Sequence, residues 1–339
     1  MILLVLFSQR QYLQMDHWGQ LGLFFAFLMD SFPATYQKLN GPFWTLAVEW
    51  QYYLLLPLIV LLMRLLIWRV SPSKRLPATI VCLLFMITWS LFWRSEGLFF
   101  MSHPSETLLV PRTVLNGILL FIYGVSGKYL EDFAVGMLLS LLYIYAQHPT
   151  TSPKVQQVLR RLSPWLWGAG ILLLVSLAMW NYNIRRRHSW PFLDGFLPYF
   201  GTYVEILFAC GFGLCMLAIL YDSHRLSRFF GWTPLRRVGL ISYSMYMWHL
   251  PLLIVLMVYG QSILSNVPHI VAYSLYWVWV MLFIIPFCTL FYLFVEKPGI
   301  KLGERFQRKQ VIVEQAKPRG EEQEKLEARA EKLSSRAAP

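Results

Sequence analysis

The sequence predicts an all-α, polytopic bundle of transmembrane helices, with about seven to eight spans and a cytoplasmic C-terminus. Two observations carry that reading. Apolar runs near the bilayer-spanning length recur along the 339 residues, and 57% of the chain is hydrophobic while only 14% is charged. A soluble surface needs about a quarter charged residues. The charge is also uneven. Eleven Lys/Arg and seven Asp/Glu fall between Lys297 and Pro339, which leaves nineteen basic and eleven acidic residues for the first 296 positions. A soluble enzyme, a disordered protein and a disulfide scaffold are excluded, and a membrane β-barrel would show short alternating strands instead.

The elements follow in order. Trp18–Phe32 is short and carries Asp30. Phe43–Trp68 is long. Pro77–Trp93, Tyr129–Ala146 and Pro164–Trp180 are of spanning length. Phe196–Tyr221 holds one acid, Glu205. Ile241–Tyr259 precedes a long final run, Ile270–Val295, which closes at Glu296-Lys297-Pro298. Loop charge orients these spans. Arg64, Arg69, Lys74 and Arg75 are placed inside, as are Lys154, Arg160 and Arg161, then Arg225, Arg228, Arg236 and Arg237, and the C-terminal tail. The alternation requires that Thr113–Tyr123 does not cross. Its exception is Arg185-Arg186-Arg187, which falls outside. The domain division predicted is a membrane domain over 1–300 and a charged, partly disordered cytoplasmic tail over 301–339.

The net charge of +12 resides in short loops beside apolar segments, and no basic face is interleaved with aromatics. No nucleic-acid partner is expected; the lipid bilayer is. Cys82, Cys210, Cys215 and Cys288 all lie in apolar runs without paired spacing. No two histidines stand at metal-ligand spacing with a carboxylate, so no metal is expected. Neither a nucleophile elbow nor a glycine-rich phosphate loop is present.

An ionisable group within a span costs a few kcal/mol on insertion scales and so needs a reason. Glu49 lies about 9 Å along its helix from Phe43 at ~1.5 Å per residue, with Gln51, Tyr52 and Tyr53 following and Tyr53 on its face. Pro57 frees a carbonyl near Tyr53. A carboxylate here can accept a proton, orient a hydroxyl or pair with a buried cation; the alternative is a structural acid at the interface. His249 lies about 12 Å into its helix and shares a face with Tyr246, Met245 and Ser242. It can relay a proton, donate a hydrogen bond, or bond structurally to a neighbouring helix. Glu205 lies near mid-membrane, as a ligand contact or a structural partner. The arginines 225, 228, 236 and 237 can hold phosphates, besides setting topology.

These stretches resemble a known family. Gly41-Pro42-Phe43-Trp44-Thr45-Leu46-Ala47-Val48-Glu49 resembles the W-S-L-x-x-E signature of the acyltransferase-3 family, integral-membrane O-acyltransferases that use acyl-CoA and act largely on bacterial glycans. Tyr52-Tyr53-Leu54 with Pro57 resembles the following F-Y-L-x-x-P, and Phe133 to Leu139 the F-x-x-G-M-L helix. Ile241 to Pro251 resembles the I-S-Y-S-L-Y-L-W-H-x-P helix, and Glu296-Lys297-Pro298 the closing E-x-P. The order agrees over positions 40 to 300.

The resemblance implies transfer of an acyl group, usually acetyl, from acyl-CoA as co-substrate to a carbohydrate or cell-envelope glycan, at the cell membrane, with no permanently bound cofactor. It implies catalytic roles for Glu49, His249 and Tyr53, acceptor binding by Trp44, Gln51, Glu205 and Tyr246, and CoA binding by Arg225, Arg228, Arg236 and Arg237. Two departures qualify it. Family members have about ten spans, the first with an arginine followed by a catalytic histidine, which His17 after Arg10 does not reproduce. Met1–Phe7 reads as the tail of a third span, so an N-terminally incomplete or inert member is an alternative, as is a membrane carrier for a glycan or lipid. Trp50 stands where many members carry a second acid.

Overall fold

The computed structural model describes residue 12 and residues 14–107, 110–147, 152–185, 190–222 and 225–305. Positions 306–339 of the expected tail, Met1–Phe7 and Arg186-Arg187 lie outside the described residues, while 301–305 continue the last helix. The fold is all-α, with no strand among the described residues. Among the described residues seven helices are long and apolar enough to cross a membrane, the lower of the two span numbers expected. They fall in two compact units, Met1–Arg236 and Arg237–Pro339, with the boundary inside a short basic helix.

The first unit begins with α1 (Trp18–Phe25), eight residues long and too short to span. The chain leaves it through Phe27 at a positive φ of 54°. Residues to Gly41 then run as turns, with Thr35 buried and its hydroxyl donating to the Met29 carbonyl at 3.1 Å. The Trp18–Phe32 stretch is therefore a capping segment. Its apolar side, Phe24 and Met29, packs with Tyr12, Leu39 and Ala47.

Helix α2 (Phe43–Trp68) is continuous through Pro57. Helix α3 (Arg75–Ser102) extends nine residues beyond Trp93, where the apolar run had been taken to end. Backbone hydrogen bonding accounts for the extension: in a bilayer a carbonyl must be satisfied within its helix or by a neighbouring side chain. The last carbonyls of α3 find theirs in Arg112, which donates to Phe100 O at 2.8 Å and, just beyond the helix, to Glu106 O at 2.6 Å. Arg112 opens α4 (Arg112–Ile122), too short to cross, as expected. Leu115 and Leu119 of α4 pack on Phe100 and Tyr123.

Helices α5 (Leu130–Gln147), α6 (Ser152–Arg185) and α7 (Leu197–Tyr221) complete the unit. The α6–α7 contact is built on small residues. A Cβ on Gly170 would lie 2.6 Å from Cys215 Sγ and 2.9 Å from the Gly211 carbonyl, and one on Gly211 would lie 2.8 Å from the Leu174 side chain. Such small residues let membrane helices approach closely, so that dispersion replaces the absent hydrophobic drive. Asp222 ends α7 in extended backbone, and its Oδ2 accepts from Leu226 N at 2.7 Å in α8 (Arg225–Phe230). Helix α9 (Thr233–Leu240) follows.

The second unit contains α10 (Ser242–Tyr259) and a helix running His269–Arg305, α11. Two π-helical turns, Val280–Ile284 and Tyr292–Glu296, interrupt the regular winding of α11. Trp248 of α10 packs edge-on against Phe287 and Phe291 of α11, with ring centroids 5.2 and 5.4 Å away. The Trp279 indole donates to the Leu252 carbonyl at 3.1 Å. Pro251 in α10 is accommodated without ending the helix.

Candidate functional site

The polar centre of the first unit is organised by the loop from Tyr123 to Tyr129. Three of its residues hold positive φ: Gly124 at 70°, Gly127 at 100° and Tyr129 at 56°. Glycine carries this conformation without steric cost, whereas Tyr129 is strained. A Cβ on Gly127 would meet the Arg94 guanidinium at 2.9 Å, so a glycine there is needed for space as well as for φ. The Val125 N–H donates to the Asp30 carbonyl at 3.1 Å, which fixes the loop to the capping segment.

Two buried ion pairs flank this loop. Arg94 of α3, 5% exposed, donates through Nε to Glu131 Oε1 of α5 at 2.7 Å, and its Nη2 lies 2.6 Å from the same oxygen without aligned hydrogen-bond geometry. Glu131 is fully buried and also accepts from the Ser90 hydroxyl. The Arg94 Nη1 donates to the Ser126 carbonyl at 3.2 Å, and the Tyr129 ring lies under the guanidinium at 4.5 Å. In the second pair Lys128 contacts Asp30, with its ammonium also donating at 2.9 Å to both Ser31 Oγ and Gln51 Oε1. The Gln51 amide donates at 2.7 Å to Asp30 Oδ1 and at 2.7 Å to the Phe27 carbonyl. Each cation thus has a carboxylate and further acceptors, the condition for burying charge. Burial, above all, pushes the Tyr129 phenol up to about 12, against the opposing pull of Arg94 and Ser126. Burial likewise raises Tyr123.

The residues anticipated from the sequence divide among three settings. Gln51 belongs to the Lys128–Asp30 network. It lines a cavity of about 190 Å³ with Val48, Tyr52, Trp89 and Lys128. Trp44 packs between Tyr36 and Tyr129, with centroids 5.6 and 5.3 Å away. Glu205 of α7, half-buried, lies close enough to Arg94, Glu131 and Asp132 to interact with their charges. Glu49 and Tyr53 share a face of α2, as their spacing predicts, and that face is exposed, Tyr53 by 62%. It is not the face that carries Val48, Gln51 and Tyr52.

In the second unit, His249 Nδ1 donates to the Met245 carbonyl one turn back at 2.9 Å. A carbonyl can only accept, so Nδ1 carries the proton and Nε2 is the acceptor of the neutral ring. The Tyr246 ring lies 6.3 Å away. Arg228, Arg236 and Arg237 are exposed, and the Arg225 side chain lies outside the described residues.

The motif stretches meet pairwise within each unit. Tyr52 stacks face to face on Phe133, with centroids 3.7 Å apart and rings 4° from parallel, and its hydroxyl donates to Met137 Sδ at 3.4 Å. Ser244, fully buried, donates to Glu296 Oε2 at 2.6 Å. Arg94, Glu131 and Lys128 had no place among the sequence candidates. Comparison with protein-family models, with curated protein sequences and with solved structures found no match to this chain.

Proposed function

We propose that this chain is an integral-membrane O-acyltransferase of the cell membrane, moving an acyl group, acetyl in the first instance, from acyl-CoA to a hydroxyl of a carbohydrate or envelope glycan. The observation that carries the reading is the pairwise meeting of its motif stretches. Tyr52 and Phe133 are separated by eighty-odd positions in the chain, and Ser244 and Glu296 by fifty-two. Each pair is joined by a side-chain contact within a helix pair. Shared packing of four short motifs is the arrangement expected where those motifs serve one family scaffold.

The reaction joins the acceptor oxygen to the acyl carbon and breaks the thioester C–S bond, and the hydroxyl proton ends on the departing thiolate. It needs a proton acceptor near the hydroxyl and donors for the developing oxyanion. In the neutral ring Nε2 of His249 is the acceptor nitrogen, since Nδ1 donates to the Met245 carbonyl. The Glu49 carboxylate lies on an exposed face of α2, within two turns of its start at Phe43. Tyr53 supplies a hydroxyl on that same face. Gln51 and Trp44 stand behind it, in the Lys128 network and against Tyr129. Arg228, Arg236 and Arg237 offer exposed guanidinium groups to the CoA phosphates.

The test is label transfer. The purified chain in lipid nanodiscs receives radiolabelled acetyl-CoA and a crude envelope glycan extract, beside the E49Q and H249Q variants. Acceptor-dependent labelling that falls about a hundredfold in either variant, the typical contribution of a general base, supports the reading. Absence of both acetyl-CoA binding and label transfer by a folded chain overturns it.

A further inference from the structure

A cavity of about 540 Å³ lies between α5 and α7 of the first unit and shares no lining residue with either ion pair. Its walls are apolar: Val135, Leu139 and Ile144 on one helix, Phe212, Met216 and Leu220 on the other. Phe212, Met216 and Leu220 are each more than half exposed, so the cavity is a groove open along the surface a bilayer would cover. Gly136 contributes to its width, since a Cβ there would meet nothing within 4 Å. The single carboxylate of the lining is Asp132, at the α5 N-terminal end. Its Oδ1 is buried and has no hydrogen-bond partner among the described residues.

The charges around that carboxylate select what approaches it. Glu131 lies beside it in sequence, and Glu205 interacts with it from α7. Among the described residues the cation acting on it is Arg94, which is engaged by Glu131. The polar end of the groove therefore has acceptors in excess. A phosphate or carboxylate is repelled there, and a group that donates a hydrogen bond is drawn in.

Length fits as well. From Asp132 to Ile144 the lining runs about 18 Å along α5 at ~1.5 Å per residue, and one leaflet of a ~30 Å hydrocarbon core is about 15 Å deep. Loop charge puts the α5 N-terminus on the outer side, so Asp132 stands at headgroup level with the groove running toward mid-membrane.

We propose that the α5–α7 groove is a binding site for a single-chain lipid of the outer leaflet whose head is a hydrogen-bond donor, a hydroxyl or an ammonium, held by Asp132, with the chain lying along Leu139, Phe212 and Met216. The site stands independently of acyl transfer.

A diazirine-bearing hexadecanol and the corresponding fatty acid test it, photolysed with the full chain in nanodiscs and mapped by peptide mass spectrometry. The alcohol labels the walls between Val135 and Leu220, and unlabelled hexadecanol and hexadecylamine compete while palmitate does not. D132L lowers labelling about tenfold, as expected for loss of a buried polar partner. G136L, which fills open space, abolishes it while leaving the melting temperature within a few degrees. Should D132L fail to fold, G136L and the alcohol-to-acid ratio decide. Equal labelling by alcohol and acid, or labelling that G136L does not change, overturns the proposal, as does labelling spread evenly over the exposed face of α2.

Discussion

Arg94 joins the polar groups at the centre of the first unit. Its guanidinium holds Glu131, the Ser126 carbonyl and the Tyr129 ring together, and all of these lie on different turns of one reversed loop and the helix that follows. Removing one partner of a buried pair leaves the other charge without compensation, a loss of about 3–5 kcal/mol, whereas replacing both with apolar residues is often near neutral. R94M and E131L are each expected to lower the unfolding midpoint in detergent strongly, and the double variant to recover most of that loss. Equal or additive losses in the double variant would mean that the pair is not the organising contact. The sequence did not reveal this residue. Arg94-Ser95-Glu96-Gly97 reads as the polar end of an apolar run, although Leu98 to Met101 resume the apolar pattern. That resumption was the available signal: a helix that continues past an arginine carries it inside, and a buried arginine requires an acid. Glu131, in the first turn of the next-but-one helix, is that acid.

The elements were legible where composition alone decides them. Phe43–Trp68 is helical over the whole stretch that its apolar residues predict, and the end of the Phe196 span at Tyr221 agrees as well. Differences arise where side chains from elsewhere settle the boundary, as at the α3 C-terminus, which Arg112 satisfies. Helix pairing was not legible, because it depends on where small residues face one another. Gly168 and Gly170 lie two positions apart on α6 and face different surroundings. A Cβ at 168 would meet nothing within 4 Å, whereas one at 170 would overlap Cys215 and the α7 backbone. G170A is expected to cost about 1–3 kcal/mol, since backbone cannot yield as a flexible side chain can. G168A is expected to be neutral or to gain up to ~1 kcal/mol of helix propensity. Thermal unfolding of the two variants side by side checks this. Equal effects would show that α6 and α7 do not rely on that close approach.

At the scale of the whole molecule, the charge of the loops predicts which surfaces face which compartment. Ser71 and Ser105 lie just beyond opposite ends of α3, both exposed. Arg64, Arg69, Lys74 and Arg75 crowd the Ser71 end, two of them against Trp68, with Arg64 6.0 Å and Arg75 5.9 Å from its ring centre. An aromatic belt residue carrying two arginines suits the cytoplasmic headgroup layer. The native cysteines lie within spans, so an introduced thiol is the group a membrane-impermeant maleimide reaches. S105C is expected to react in intact cells, and S71C only after permeabilisation. The reverse pattern would invert the molecule and put the Asp132 end of the groove in the inner leaflet. Labelling of both sites from one side would mean that α3, despite its twenty-eight residues, does not cross.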